Sequence, residues 1–136
     1  MLYREIERPL LQEIYRDDPW KMLICCILLN LTKRQQVDGV RHELFSKYPN
    51  EYKMMEADEN ELSEILKPLG LYRKRAQTLI KFSWMWVNGF SDVTELYGIG
   101  QYAKDSWEIF QMNNMDVVPT DKVLLEYLHQ EQNEKN

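Results

Sequence analysis

Two features of this 136-residue sequence combine residue type and spacing in a way that could do chemistry. The first is Leu96-Tyr97-Gly98-Ile99-Gly100-Gln101-Tyr102-Ala103, where two glycines flank one apolar residue between two helical patterns. Glycine there allows a positive φ and a close backbone approach. The helix that follows opens with free N–H groups and the positive end of its dipole, which suits a phosphate. Many helical hairpins turn in the same way with no ligand. The second feature is Val117-Val118-Pro119-Thr120-Asp121-Lys122-Val123, which puts a carboxylate at the head of the last helical segment. An Asp in that place is commonly an N-cap. It also has a chemical use. Breaking an N-glycosidic bond builds positive charge on the sugar, and a fixed carboxylate stabilises that charge or orients water. One residue can serve both ends.

Charge is distributed unevenly. From Ile65 to Ser91 there is no acidic residue, while Lys67, Arg73, Lys74, Arg75 and Lys81 are present. Removing that +5 segment from a net charge of −5 leaves −10 on the rest. A chain that touches a polyanion with one face has this asymmetry, and so does a chain with one solvated basic helix. Cys25 and Cys26 are the only cysteines. They adjoin inside an apolar run, so they are expected to be reduced core residues, and two thiols cannot build a four-ligand metal site. No apolar run reaches the length of a membrane span, and the first residues carry charge where a secretory signal needs an apolar stretch. An intracellular protein is expected, nuclear if the source is eukaryotic and otherwise in the cytoplasm or nucleoid.

The elements that must position these groups read as helices throughout. Gly and Pro are scarce, and apolar residues recur at spacings of three and four. Ile6, Leu10, Leu11, Ile14 and Tyr15 outline a first helix. Asp18-Pro19 starts a second, apolar nearly all round to Leu29, which should be the central one. Thr32 is placed to cap a third, carrying Val37, Val40, Leu44 and Phe45 inward. A short acidic helix follows and ends at Pro68-Leu69-Gly70. The basic helix spans about Tyr72 to Val87, Ser91 or Asp92 caps one further turn, and helices run from Gln101 to Phe110 and from about Asp121. The expectation is one all-α domain over residues 1–136, with 131–136 a frayed tail.

Taken together, these stretches resemble the helix-hairpin-helix DNA glycosylase superfamily. Within it they are most similar to the thymine and uracil mismatch glycosylases typified by methyl-CpG-binding domain protein 4. The likeness runs from Pro9 to about His129. It rests on Asp18-Pro19-Trp20-Lys21 with its apolar run to Leu29-Asn30, on Leu66-Lys67-Pro68-Leu69-Gly70-Leu71-Tyr72, and on Arg75-Ala76, Thr78 and Lys81-Phe82-Ser83. It continues through Glu95-Leu96, Gly98-Ile99-Gly100, Tyr102, Asp105-Ser106 and Ile109-Phe110. The resemblance implies two helical lobes with an active-site cleft between them, and Asp121 as the catalytic carboxylate. Tyr102 falls where bifunctional relatives carry a Schiff-base lysine, which implies a monofunctional enzyme without lyase chemistry.

Gln12 corresponds to the amide that reads the flipped base, and Tyr102 either lines the same pocket or packs on the hairpin. Leu71 matches an apolar wedge, or is an ordinary contact at a helix start. The hairpin Gly98, Ile99, Gly100 and Gln101, with Lys104, Arg73, Lys74 and Arg75, would hold phosphates. A monovalent cation on the hairpin carbonyls is also implied, while the cysteine count rules out an iron–sulfur cluster. The implied partner is duplex DNA carrying a mismatched or damaged pyrimidine, bound by a monomer and away from any membrane.

The chain departs from the family at the site itself. Leu31 replaces an arginine that fills the gap left by the flipped base, Val123 replaces a lysine, and Thr120 replaces an acidic residue. These changes bear on substrate choice and efficiency, and leave Leu31 as an apolar plug. Two other readings stay open at this point. Glycosylase-like proteins of viral hypermodification pathways alter a thymine substituent without excision, though a retained Asp121 serves the sugar rather than the base. A non-catalytic module using the hairpin alone would be indifferent to Asp121→Asn.

Overall fold

The computed structural model describes residues 5–135. Its regular structure is helical throughout: α1 (Leu11–Ile14), α2 (Pro19–Leu28), α3 (Arg34–Lys47), α4 (Glu51–Met55), α5 (Glu59–Leu66), α6 (Tyr72–Asn88), α7 (Gln101–Phe110) and α8 (Lys122–Lys135). Short 3₁₀ turns at Lys67–Leu69 and Val93–Glu95 precede α6 and the hairpin.

The central helix α2 forms where its sequence demands. Asp18 Oδ1 accepts from the Lys21 N–H at 3.1 Å, and Pro19 occupies the first helical position, where a missing N–H is harmless. Every residue from Met22 to Leu28 is buried. Trp20 is buried too, and its indole N–H reaches Ser83 Oγ on α6 at 3.0 Å, so its one polar atom is satisfied. Helices α3 to α6 pack on one another and meet α2 on one side, while α1 and α7 meet it on the other. Helix α8 joins this second group through Phe110 and Tyr127, whose rings lie 4.8 Å apart. The two lobes therefore share α2, and the cleft opens near its C-terminal end. Among the described residues no helix is long and apolar enough to cross a membrane.

Four local expectations need correction. The first helix is a single turn, because Pro9 and the extended Leu10 stop it from reaching back to Ile6; the Glu13 carboxylate accepts the Leu10 N–H at 2.9 Å. Thr32 closes α2 rather than opening α3: its hydroxyl donates to the Leu28 carbonyl. Helix α3 begins instead at Arg34, with Lys33 in the N-cap position, whose N–H donates to Gln36 Oε1 at 2.9 Å. The acidic helix is α5, capped by Asp58 with Leu62, Ile65 and Leu66 inward, but an unexpected short helix, α4, capped by Asn50, precedes it. Finally, α8 continues to Lys135 where a frayed tail is expected. Arg8 anchors that stretch, reaching Gln130 Oε1 at 3.3 Å and Glu131 Oε1 at 3.2 Å with its guanidinium over the Tyr127 ring.

The same Arg8 pairs with Glu13 at 2.7 Å. Burial alone would push the Glu13 carboxyl up, but the Arg8 hydrogen bond, the Leu10 N–H and the guanidinium charge hold it below its usual value. A depressed carboxyl stabilises the fold above the unfolded value, about 4.3, and that contribution is lost as pH falls through the folded value. Glu13→Gln is therefore expected to lower stability by about 1 kcal/mol at pH 7 and by much less near pH 3. Urea unfolding at both pH values checks this. An equal loss at both would assign Glu13 to packing instead of charge.

Candidate active site

A cavity of about 730 Å³ opens at the seam, walled by α1, the C-terminal end of α2, the hairpin with α7, and the start of α8. That size is ordinary for a small-molecule site, with room for a base and part of its sugar. Gln12, Cys26, Leu31, Gly98, Gly100, Gln101, Tyr102, Asp105 and Asp121 all line it.

Asp121 stands immediately before α8, and its Oδ2 accepts the Leu124 N–H at 2.9 Å. It caps the helix and faces the cavity, so the structural use and the position needed for the chemical one coexist. Gln12 is only 2% exposed; its Nε2 donates to Tyr102 OH at 2.7 Å and to Ser106 Oγ at 3.1 Å. Burial, together with the nearby Cys26 and Asp121, pushes the Tyr102 phenol above its usual range despite the Gln12 hydrogen bond. Tyr102 is accordingly a neutral phenol at physiological pH. Burial likewise pushes the Cys26 thiol up to about 12; the Ser106 hydrogen bond opposes this and the Asp121 charge adds to it. Cys26 is thus a wall of the pocket, and no nucleophile.

The hairpin follows from its glycines unequally. Gly98 has φ +88°, and a Cβ there would lie 2.9 Å from Thr78 Cγ2 and 3.4 Å from Ile27 Cδ1. Gly100 is extended, and a Cβ on it would meet nothing within 4 Å. The conformational argument for glycine holds only at Gly98. At Gly100 the small residue leaves the start of α7 open, with no side chain capping its first N–H groups. Gly98→Ala is expected to lower stability by about 2 kcal/mol, and Gly100→Ala by less than about 1 kcal/mol. Thermal melts of the two variants check this, and equal losses would refute the distinction.

The basic residues separate as well. Arg73, Lys74 and Lys104 are exposed, but Arg75 is buried and its Nε donates to the Gly70 carbonyl at 2.9 Å. Position 75 shares the inward face of α6 with Ala76, Leu79 and Phe82. Arg75 therefore braces the turn before α6 and does not stand free as a phosphate ligand. Lys81, four residues beyond Gln77 on the exposed face, lies over the Tyr97 ring at 4.3 Å, next to the hairpin.

Leu31 and Leu71 are 84% and 60% exposed, and both have positive φ, +62° and +46°. Left-handed leucines are uncommon, and such backbone strain clusters at functional sites. Leu31 lines the cavity, while Leu71 begins α6 on the turn that Arg75 braces. Sequence reasoning missed Ser106, Cys26, Arg34 and Asp105. Asp105 is buried in the cavity wall and accepts from Gln101 Nε2 at 2.8 Å. The i, i+4 spacing of Tyr102 and Ser106, which puts both hydroxyls on one face of α7, was the available signal for Ser106.

The sequence profile of the HhH-GPD superfamily of base excision DNA repair proteins matches residues 24–132. A methyl-CpG-binding domain protein 4-like protein of Arabidopsis thaliana is 37% identical over 119 residues, covering 87% of this chain and 27% of that protein. A thymine/uracil-DNA glycosylase of Pyrobaculum aerophilum is 31% identical over 109 residues, covering 74% of this chain and 47% of that protein. The chain thus spans between about a quarter and about half of these relatives. The structure of a thermostable thymine-DNA glycosylase superposes with a TM-score of 0.67 at 23% identity, over 75% of this chain and 52% of that one. The expected all-helical fold is the one found.

Proposed function

The chain belongs to the HhH-GPD superfamily of base excision DNA repair proteins, and from that premise we propose that it is a monofunctional DNA glycosylase acting on thymine or uracil mispaired with guanine. One observation carries the reading: a capping carboxylate, Asp121, shares a cavity with a buried Gln12–Tyr102 pair beside an open-ended hairpin.

The chemistry follows from those positions. A mispaired base costs less to extrude, so mispairs enter the cavity more readily than paired bases. Gln12 and Tyr102 meet its polar edge. As the glycosidic bond lengthens, positive charge grows on the sugar, and Asp121 stabilises it while water completes the displacement. Lyase chemistry needs an amine at the sugar. Among the described residues no lysine lines the cavity, and the place of the relatives' lysine holds the neutral Tyr102 phenol. Outside the cavity, Arg73, Lys74, Lys104 and the α7 N–H groups serve phosphates; Leu31 at the cavity mouth and Leu71 on the turn before α6 serve the base stack. The hairpin also suits a monovalent cation. The Leu96 carbonyl, which accepts only a long bond from the Ile99 N–H at 3.3 Å, keeps a lone pair for it, and the ion's charge would add to the α7 N–H groups in holding a phosphate.

The test is excision from duplexes carrying G·T, G·U, A·U and hydroxymethyluracil, each resolved with and without alkali. Strand scission that needs alkali is the expected result. Scission without alkali would overturn the monofunctional assignment. Specific DNA binding with no abasic sites would overturn the glycosylase reading.

A further inference from the structure

Helix α1 is a single turn of four residues, and its Leu11 and Gln12 line the cavity. A helix shorter than about 12 residues does not hold itself in water, so neighbours must hold this one. Part of that hold is its packing on α2 and α7. A further part comes from α3, in the other lobe. Arg34 Nη1 donates to the Pro9 carbonyl at 3.0 Å, two residues before α1. Arg41 Nη1 donates to the OH of Tyr15, the residue after it, at 2.9 Å. One carboxylate aims both guanidiniums: Asp38 accepts from Arg34 Nε at 3.0 and 3.1 Å and from Arg41 Nε at 2.9 Å. Positions 34, 38 and 41 are four and three apart, so all three share one face of α3. The Arg34 and Arg41 side chains are 21% and 13% exposed, and water screens their pairs with Asp38 only in part. One network thus grips α1 at both ends, and Arg34 itself lies in the cavity wall.

We infer that Asp38 is a positioning residue: by holding Arg34 and Arg41 together it latches α1 to α3 across the two lobes, so that the cavity stands at its working width before DNA arrives. This rests on the glycosylase reading and deepens it. Asp38→Asn leaves both arginines present but removes the charge that orders them. Helix α1 then opens locally more often, and its wall of the cavity is out of place when a base enters. Misplacement by about 1 Å can cost about a hundredfold in rate. Phosphate contacts outside the cavity are untouched.

The test joins amide hydrogen exchange with single-turnover excision of uracil opposite guanine, for the wild type, Asp38→Asn and Asp38→Glu. Ile14 and Tyr15 donate their N–H groups to the Leu10 and Leu11 carbonyls, so their exchange reports the opening of α1. In Asp38→Asn both amides are expected to exchange about tenfold faster, with α2 amides unchanged. Excision at saturating enzyme falls about ten- to a hundredfold, and duplex affinity stays within a few-fold. Asp38→Glu, which keeps the charge on a longer stem, recovers most of both. A merely structural loss would instead speed exchange in α2, which opens with the whole fold. Exchange at Ile14 and Tyr15 that stays at the wild-type rate, or quickens only along with α2, overturns the latch. Faster α1 exchange with undiminished excision overturns the positioning role; a tighter duplex complex beside it would make Arg34 a phosphate ligand restrained by Asp38. No uracil excision by the wild type overturns the glycosylase reading and with it the role in excision, while the exchange result still decides the latch.

Discussion

Asp121→Asn is expected to slow excision of thymine or uracil at least about a thousandfold while duplex affinity stays within a few-fold of the wild type. The substitution is nearly isosteric, and an Asn oxygen can still accept the Leu124 N–H that Asp121 Oδ2 accepts at 2.9 Å. Asn caps helices about as well as Asp, so α8 should start where it does now. What is lost is the negative charge facing the cavity. Removing a preorganised electrostatic partner of a developing charge commonly costs about 3–4 kcal/mol, and a full carboxylate opposite a sugar cation falls at or beyond that range. Single-turnover rates with alkali work-up, beside anisotropy titrations of the same duplex, separate chemistry from binding. Asp121→Ala adds a second separation: it loses the cap as well, so it should be less stable than Asp121→Asn by about 1 kcal/mol without being much slower. If Asp121→Asn kept activity within tenfold of the wild type, Asp121 would be a cap only. The carboxylate would then have to be sought at Asp105, which is buried in the same cavity wall.

The local parts of this site were legible in the sequence because their causes are local. Asp18-Pro19 starts α2, the stretch from Gln101 to Phe110 is a helix after a glycine turn, and Asp121 precedes the last helix. Capping and turn chemistry need only a few consecutive residues, so no tertiary information was required. The roles of Gln12, Tyr102, Leu31 and Leu71 came from resemblance, and the fold brings Gln12, Tyr102 and Leu31 to the same cavity as Asp121. Harder to see was which of two local partners a side chain takes, and anything decided by a distant neighbour. Thr32 looks like a cap in sequence, but its hydroxyl finds the Leu28 carbonyl one turn back. Arg75 reads as one of a run of three cations, yet helical phase turns it inward to the Gly70 carbonyl. Gly98 needs glycine because Thr78 and Ile27 crowd it, and both are far away in the chain. The Ser106–Gln12 contact joins residues 94 positions apart, and no periodicity reports that.

Leu31 makes the other large prediction, because stability and activity should move in opposite directions. At φ +62° a leucine is strained by roughly 1–2 kcal/mol, and at 84% exposure it recovers little of that through burial. Leu31→Gly removes the strain, partly offset by the greater freedom glycine has in the unfolded chain. Stability is therefore expected to hold or rise slightly. Excision from a G·U duplex should nonetheless fall by about ten- to a hundredfold, since an apolar group at the cavity mouth offsets a few kcal/mol of unstacking when the base leaves. The cause can be isolated with single-stranded DNA carrying the same uracil. No partner strand holds the stack closed there, so the plug has little to do and most of the deficit should disappear. Leu31→Arg, which puts back the arginine that the resemblance implies at this position, should recover duplex excision with a steeper dependence on salt, because the added charge reaches phosphates. If Leu31→Gly lost stability, or slowed excision equally on single and double strands, Leu31 would be a structural residue in an unusual conformation, and the gap left by the base would have to be filled by another side chain.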